Sequence, residues 1–222
     1  MTSTAGSTTP PDRVRRFGKA TRLVHRSTGV LMLLCVVSAS CLYFAPLAQL
    51  VGRRALVIDV HVWSGLLLPA PVLLGLVSKW FRADLRLLNR FAPYDREWLR
   101  AVRKRLSAPR YRPAGKFNAG QKLYAGWIAG AVLVMAATGL LMWNLGLFPF
   151  VSRTSAIFVH DCLAWAIAAV LIGHLRKAFQ DPEARHGMRT GFVSRSWAER
   201  NHSRWLAPER TAVSGQNGGV DR

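Results

Sequence analysis

The chain has 222 residues, half of them apolar, with 31 Lys and Arg against 11 Asp and Glu and a mean hydropathy of +0.14. A soluble nucleic-acid-binding protein could carry the formal charge of +20, but not together with uninterrupted apolar runs of about twenty residues. A membrane domain explains both features, because the basic residues lie between the apolar runs. No nucleic-acid role is therefore needed to explain the charge.

Four apolar segments predict an all-α integral membrane protein built as a four-helix bundle. A polar, Pro-broken stretch at residues 1–12 precedes them, and we expect it to be disordered. The spans are expected at residues 27–47, 56–78, 123–143 and 155–175, with Pro69 and Pro71 kinking the second. They belong to a membrane domain at 13–178, followed by a polar tail at 179–210 and a disordered end at 211–222.

Lysine and arginine predict the orientation of these spans. Of the 31 basic residues, 28 lie in residues 1–26, in the connection 79–122 and in residues 176–222. The two other connections carry only Arg53, Arg54 and Arg153. Cytoplasmic loops are enriched in Lys and Arg, so we expect a multi-pass plasma-membrane protein with both termini and the 79–122 connection in the cytoplasm.

Two histidines in the last span are the first sign of a site. His160 and His174 are fourteen residues apart, which places both on one helix face and about 21 Å apart along the axis. That is one histidine near each surface of a ~30 Å hydrocarbon core. Histidines at this depth normally face the bundle interior and have a function.

His25 and His61, near the starts of the first two spans, complete the set. The expected topology places His25 with His174 toward the cytoplasm, and His61 with His160 toward the outer side. Because six-coordinate haem iron takes two axial nitrogens, each pair could hold one haem. Glycines four residues after His25 and His61 would leave room for a porphyrin edge, and Arg22 is a candidate partner of a haem propionate.

Two alternatives to haem remain open at this point. A single membrane histidine can simply make an interhelical hydrogen bond, although four at matched depths weaken that explanation. A metal-ion transporter would need carboxylates or thiolates beside the histidines, and the candidates are Asp59 and Asp161.

The sequence resembles the cytochrome b (gamma) subunit of membrane-bound formate dehydrogenase, which is related to the cytochrome b subunits of nickel–iron hydrogenases. The resemblance covers about residues 13–210. It rests on Arg22-x-x-His25 with Gly29, His61 with Gly65, the stretch Lys116-Phe117-Asn118-Ala119-Gly120-Gln121-Lys122, Thr138-Gly139, His160, His174 with Ala178, and the tail from Gly191 to Trp205. The sequence departs from the family at Arg26, where an aromatic is usual, and at Asn201-His202, which replaces a paired histidine.

The resemblance implies a dihaem b-type cytochrome that receives electrons from an iron–sulfur subunit and passes them to quinone. Electrons would enter near the outer haem and reach the inner one. The chain shows no ligand set for molybdenum, nickel or an iron–sulfur cluster, so we expect the catalytic dehydrogenase subunit to be another chain. In this interpretation the protein is the electron-transfer subunit of an oxidoreductase and contacts membrane lipid.

Asn118 and Gln121 are the candidate quinone residues. Their spacing alone favours a helix cap, with Asn118 at N-cap and Gln121 at N3. The resemblance shifts the interpretation toward hydrogen bonds from these amides to a quinone. His186 and His202 lie in the polar tail, where we expect both to be solvated. The functional alternatives are a stand-alone haem–quinone oxidoreductase and a non-redox membrane anchor or transporter.

Overall fold

The computed structural model describes residues 12–143 and 152–206, and this part of the chain is mostly helical. Apart from Asp12, the segments expected to be disordered lie outside the described residues. The helices in chain order are α1 (Lys19–Tyr43), α2 (Ala45–Val51), α3 (Arg54–Leu67), α4 (Ala70–Gly75), α5 (Lys79–Asn89), α6 (Pro93–Arg103), α7 (Ala119–Trp143), α8 (Arg153–Gln180), α9 (Pro182–Thr190) and α10 (Arg195–Asn201). The strands are β1 (Arg13–Arg15) and β2 (Phe192–Ser194).

Within residues 12–143 and 152–206, four helical segments are long and apolar enough to cross a membrane: α1, α3 with α4, α7 and α8. Proline determines two of their boundaries. Pro46 lies in the first turn of α2, and the first segment ends at Tyr43. Pro69 has no N–H for the helical ladder, and the second segment is interrupted between Leu67 and Ala70.

The described chain divides into two compact units. The bundle unit comprises the described residues within 19–86 and 123–180, and the terminal unit comprises those within 1–18, 87–122 and 181–222. The centre of the bundle unit takes one buried apolar residue from each spanning segment, namely Met32, Leu68, Ala131 and Ile167. Large apolar side chains cover the outside of the same helices, among them Val30, Leu133, Phe158 and Ile172. Such a surface suits lipid rather than water, and the chain is a multi-pass membrane protein.

The terminal unit contains a feature that the all-α prediction omitted. Strands β1 and β2 pair antiparallel, with Val14 opposite Val193. Val193 is fully buried and packs with Trp197 and Leu206. Gly187 allows this packing, because a Cβ there would lie 2.7 Å from Val193 Cγ1. Each strand is only three residues long, which is too short for an alternating pattern to predict it.

Candidate functional site

Four histidines form two pairs in the bundle unit. The ring centroids of His61 on α3 and His160 on α8 are 6.2 Å apart, with an interplanar angle of 70°. Those of His25 on α1 and His174 on α8 are 6.1 Å apart, with an angle of 60°. His25 is exposed and the other three are half-buried. These are the two pairs that depth and topology predict, and their role as haem ligands stays a prediction.

The separation within each pair can be compared with that of two axial ligands on one metal. A metal–imidazole bond is about 2.0–2.1 Å long, and the ligating nitrogen lies about 1.1 Å from the ring centroid. Two imidazoles on opposite sides of one iron therefore have centroids about 6.3 Å apart. The observed 6.1 and 6.2 Å match this value, so the residues present fit a bis-histidine haem at each pair.

Thr138 on α7 determines how the His160 ring is protonated. Thr138 Oγ1 lies 2.9 Å from His160 Nδ1, and its hydroxyl donates to the carbonyl oxygen of Val134 at 2.8 Å. A hydroxyl has a single proton, so the Thr138 oxygen can only accept from His160. The ring proton is therefore on Nδ1, and the Nε2 lone pair is left for a metal.

Ser38 on α1 acts on His61 in the same way. Its hydroxyl donates to the carbonyl of Leu34 at 2.6 Å, and Ser38 Oγ lies 3.0 Å from His61 Nδ1. The carbonyl of Cys35, 3.2 Å from the same nitrogen, is a second acceptor. Sequence reasoning missed this role of Ser38, and it used Thr138 only as part of a motif. The sequence feature that could have indicated this role is a serine or threonine on another span at the same membrane depth as the histidine.

The surroundings of the His25–His174 pair are different. Tyr124 on α7 stacks on His174, with centroids 4.9 Å apart and an angle of 11°. Neither ring of this pair has a side-chain hydrogen bond within residues 12–143 and 152–206, whereas both rings of the other pair do. Arg22, the candidate propionate partner, is half-buried on α1 one turn before His25.

Glycines beside the histidines leave space that a macrocycle could use. A Cβ on Gly29 or on Gly65 would meet no heavy atom within 4 Å. A Cβ on Gly139 would lie 3.7 Å from Cε1 of His160. A Cβ would thus meet no other atom at Gly29 and Gly65, and at Gly139 it would be in ordinary contact with the His160 ring.

The two amides predicted to contact quinone form a reciprocal cap at the start of α7. Gln121 N donates to Asn118 Oδ1 at 2.9 Å, and Asn118 N donates to Gln121 Oε1 at 3.0 Å. The cap uses only the oxygen of each amide, because a backbone N–H needs an acceptor. The NH₂ groups take no part in it. A capping role and a donor role toward a ligand are thus compatible in the same two residues.

His202 is buried, so the expectation of a solvated tail histidine is wrong for this residue. Its Nδ1–H donates to the carbonyl of Gly115 at 2.6 Å, and Nε2 accepts from Arg16 at 3.0 Å. Arg16 also donates to the carbonyl of Lys116 at 3.1 Å. Burial and the Arg16 charge lower the pKa of His202 to about 3, so the ring is neutral. The tail and the N-terminal segment thus hold the backbone that leads into Asn118.

A buried ion pair fixes the same region from the other side. Lys122 Nζ lies 2.6 Å from Asp95 Oδ2, with both side chains almost fully buried. Lys122 also donates to the carbonyl of Arg90, and Asp95 accepts from the backbone N–H of Ala92. The first turn of α7 is therefore tied to the start of α6. No local sequence pattern indicates this pair, because its members are 27 residues apart.

Comparison with known proteins gives several relatives of the chain. A 206-residue match, 26% identical, pairs 90% of this chain with 94% of the formate dehydrogenase cytochrome b556(fdo) subunit of Escherichia coli K12. The cytochrome b556 subunit of Haemophilus influenzae formate dehydrogenase is 25% identical over 171 residues, 75% of this chain and 69% of that one. The nitrate-inducible cytochrome b556(Fdn) subunit of Escherichia coli K12 is 29% identical over 116 residues, 50% of this chain and 54% of that one.

The family model described as prokaryotic cytochrome b561 matches residues 16–186. The match spans all four membrane segments and all four paired histidines. It confirms the resemblance drawn from the sequence, and a cytochrome b family implies b-type haem and electron transfer within the membrane. The chain belongs to the prokaryotic cytochrome b561 family.

Proposed function

We propose that this chain is the dihaem cytochrome b subunit of a formate dehydrogenase-like respiratory complex, carrying electrons from an iron–sulfur partner subunit across the plasma membrane to quinone. The observation that carries the proposal is the pair of histidine couples, with centroids 6.1 and 6.2 Å apart. Both couples include a residue of α8, and the two positions on this helix are about 21 Å apart along its axis.

Each histidine couple would hold one b-type haem, and the bound haems supply one-electron redox chemistry. His61 and His160 would ligate one iron, and His25 and His174 the other. Ser38 and Thr138 hold the first couple with its Nε2 lone pairs available. Arg22, on the turn of α1 before His25, would neutralise a propionate.

The charge distribution supports the topology in this proposal, and the relatives support the partners. The 28 basic residues outside the short connections support cytoplasmic termini and a cytoplasmic 79–122 segment. The His61–His160 couple would then face the outer side. The relatives are named as subunits of formate dehydrogenase, which supports an iron–sulfur subunit and a catalytic dehydrogenase subunit as partners, with lipid around the bundle.

Quinone reduction is assigned to the cytoplasmic side, near Asn118 and Gln121. Their NH₂ groups stand outside the cap and can donate to a quinone carbonyl. Reduction to quinol takes two electrons and two protons, and cytoplasmic proton uptake would make the reaction charge-separating. The chain itself is an electron-transfer subunit, because formate oxidation would take place in the partner.

Haem content and ligand substitution test this proposal. The purified protein should carry two haems per chain with low-spin, bis-histidine spectra. His61→Ala and His160→Ala should deplete one spectral component, and His25→Ala and His174→Ala the other. A folded, haem-free preparation would refute the dihaem assignment, and depletion of one component by both His61→Ala and His25→Ala would refute the pairing.

The partner assignment has a separate test. Purification of the chain from native membranes under mild detergent should recover an iron–sulfur subunit together with a formate-oxidising subunit. Recovery of the dihaem chain alone, with quinone reductase activity intact, would instead favour a stand-alone haem–quinone oxidoreductase.

Reporter fusions test the orientation of the spans. Fusions after Gln180 should report the cytoplasm, and fusions near Gly52 should report the outer side.

A further inference from the structure

We propose that Ser38 and Thr138 are positioning residues that fix the tautomer of His61 and His160 and lower the midpoint potential of the haem held between them. The inference rests on the proposed function, since it requires a haem at this couple. It concerns how the chain tunes one of the two sites relative to the other.

The same arrangement occurs twice, on helices with unrelated local sequence. Ser38 bonds the carbonyls of Leu34 at 2.6 Å and Cys35 at 3.1 Å. Thr138 bonds the carbonyls four and three residues before it at 2.8 and 3.1 Å. Both side chains are buried, with exposed fractions of 5% and 8%. Each therefore has its proton committed to its own helix and a lone pair turned to a histidine Nδ1.

A hydrogen bond at Nδ1–H changes what the other ring nitrogen can do. As Nδ1–H is drawn toward an acceptor, electron density on Nε2 rises and the ring becomes a stronger donor to iron. A stronger donor stabilises ferric more than ferrous iron, so the potential of the couple falls. The couple is one-electron, ferric iron plus an electron giving ferrous iron, and Nδ1 keeps its proton throughout.

The other couple provides the contrast within the same molecule. Neither His25 nor His174 has a side-chain hydrogen bond in the described part of the chain, and Tyr124 contacts His174 through its ring face. The hydroxyl bonds thus lower the potential selectively at His61–His160. That is the direction that favours electron flow from this couple to His25–His174, as the proposed function requires.

Redox titration with substitution at the two hydroxyls tests the inference. Thr138→Val and Ser38→Ala remove the hydroxyl at nearly constant shape. Each should raise the midpoint potential of one haem, so that its ferric-to-ferrous ratio at a fixed applied potential falls by about two- to fivefold. At 59 mV per tenfold for a one-electron couple, this is a rise in midpoint potential of ~20–40 mV. Thr138→Ser and Ser38→Thr keep the hydroxyl and should titrate like the wild type.

Ser40→Ala is the matched control. Ser40 lies on the same helix and its hydroxyl also donates to the carbonyl four residues earlier, at 2.8 Å from Val36 O, but it bonds no histidine. Its potentials should equal those of the wild type. A purely structural role of Ser38 and Thr138 would lower haem content or thermal stability and leave the potentials of the remaining haem unmoved.

The outcomes separate this inference from the proposed function. Two haems with unchanged potentials in both Ser38→Ala and Thr138→Val would overturn the inference and leave the dihaem assignment intact, as would a shift confined to the haem that His25→Ala depletes. A haem-free wild-type protein would overturn both. If Ser38→Ala loses the haem altogether, the other variants decide. If Ser38→Thr retains the haem and the midpoint potential rises in Thr138→Val, the inference is supported. If the potential in Thr138→Val does not change, the inference is overturned.

Discussion

The reciprocal cap at the start of α7 allows the capping role and the quinone role of two residues to be separated by substitution. Each amide contributes only its oxygen to the cap. Asn118→Asp and Gln121→Glu therefore keep both hydrogen bonds and replace only the NH₂ groups. A carboxylate at a helix N-terminus is also favourable toward the macrodipole. We expect the helix start to be at least as stable in these variants, so a loss of turnover would come from the missing donors.

The size of the loss follows from the hydrogen bonds removed. A lost hydrogen bond costs ~1 kcal/mol, and a buried partner left unsatisfied costs ~1–3 kcal/mol. At tenfold per ~1.4 kcal/mol, quinone-linked turnover should fall by about five- to a hundredfold in each variant. Haem content and reduction of the haems from the donor side should not change, because the cap and the bundle are intact.

The assay compares quinone-linked turnover with haem content and donor-driven haem reduction in the same preparations. Asn118→Ser is the control for the cap, since serine caps about as well as asparagine but has no amide. Asn118→Ser should therefore lose turnover like Asn118→Asp while the protein stays folded. Wild-type turnover in Asn118→Asp, Asn118→Ser and Gln121→Glu would refute the reasoning and return both residues to a capping role.

Three further predictions concern the packing around these sites. The pKa of His202 falls from 6.5 to about 3 on folding. The contribution of His202 to the free energy of unfolding is therefore complete above pH 6.5 and declines as pH falls toward 3, by ~1.4 kcal/mol per pH unit. Hydrogen exchange of residues 112–121 should become faster over this pH range, and less so in His202→Gln. Lys122→Met leaves Asp95 buried without its cation and should destabilise the terminal unit by ~3–5 kcal/mol, with much of the loss recovered in Lys122→Met with Asp95→Leu, as denaturant titration can measure. Gly65→Leu should abolish one haem in optical spectra but keep the fold, since a Cβ there meets nothing within 4 Å. At Gly75 a Cβ would lie 2.6 Å from a side chain of α1, and Gly75→Leu should destabilise the bundle by ~1–3 kcal/mol.

The bundle and its histidines could be predicted because their signals are local and strong. Apolar runs of membrane length have few alternatives to a spanning helix. The fourteen-residue spacing of His160 and His174 fixes their depth and shared face by helix geometry alone. The distribution of Lys and Arg then predicts the orientation of each span. The orientation pairs His25 with His174 and His61 with His160 without any tertiary information.

The remaining features depend on contacts that no local pattern encodes. His202 meets Arg16 from 186 residues away, and a polar tail gives no reason to expect a buried imidazole. Strand β1 is recognisable only through its pairing with β2. Ser38 and Thr138 resemble ordinary membrane hydroxyl residues until the neighbouring helix is placed beside them. In each case the missing information is which distant segment lies alongside.

Membrane depth explains why hydroxyls, rather than carboxylates, orient His61 and His160. In water-exposed metal sites a carboxylate often accepts from the distal ring N–H, but a carboxylate inside the hydrocarbon core carries a cost, which reaches ~2.5–3.5 kcal/mol at the centre. Serine and threonine avoid this cost, because a carbonyl of the preceding turn takes the hydroxyl proton. The lone pair that remains on the hydroxyl oxygen can only accept a hydrogen bond. One uncharged hydroxyl thus donates within its own helix and selects the tautomer of His61 or His160. Under the proposed function, charge compensation for a bound haem would then be left to arginines such as Arg22 toward the ends of the spans.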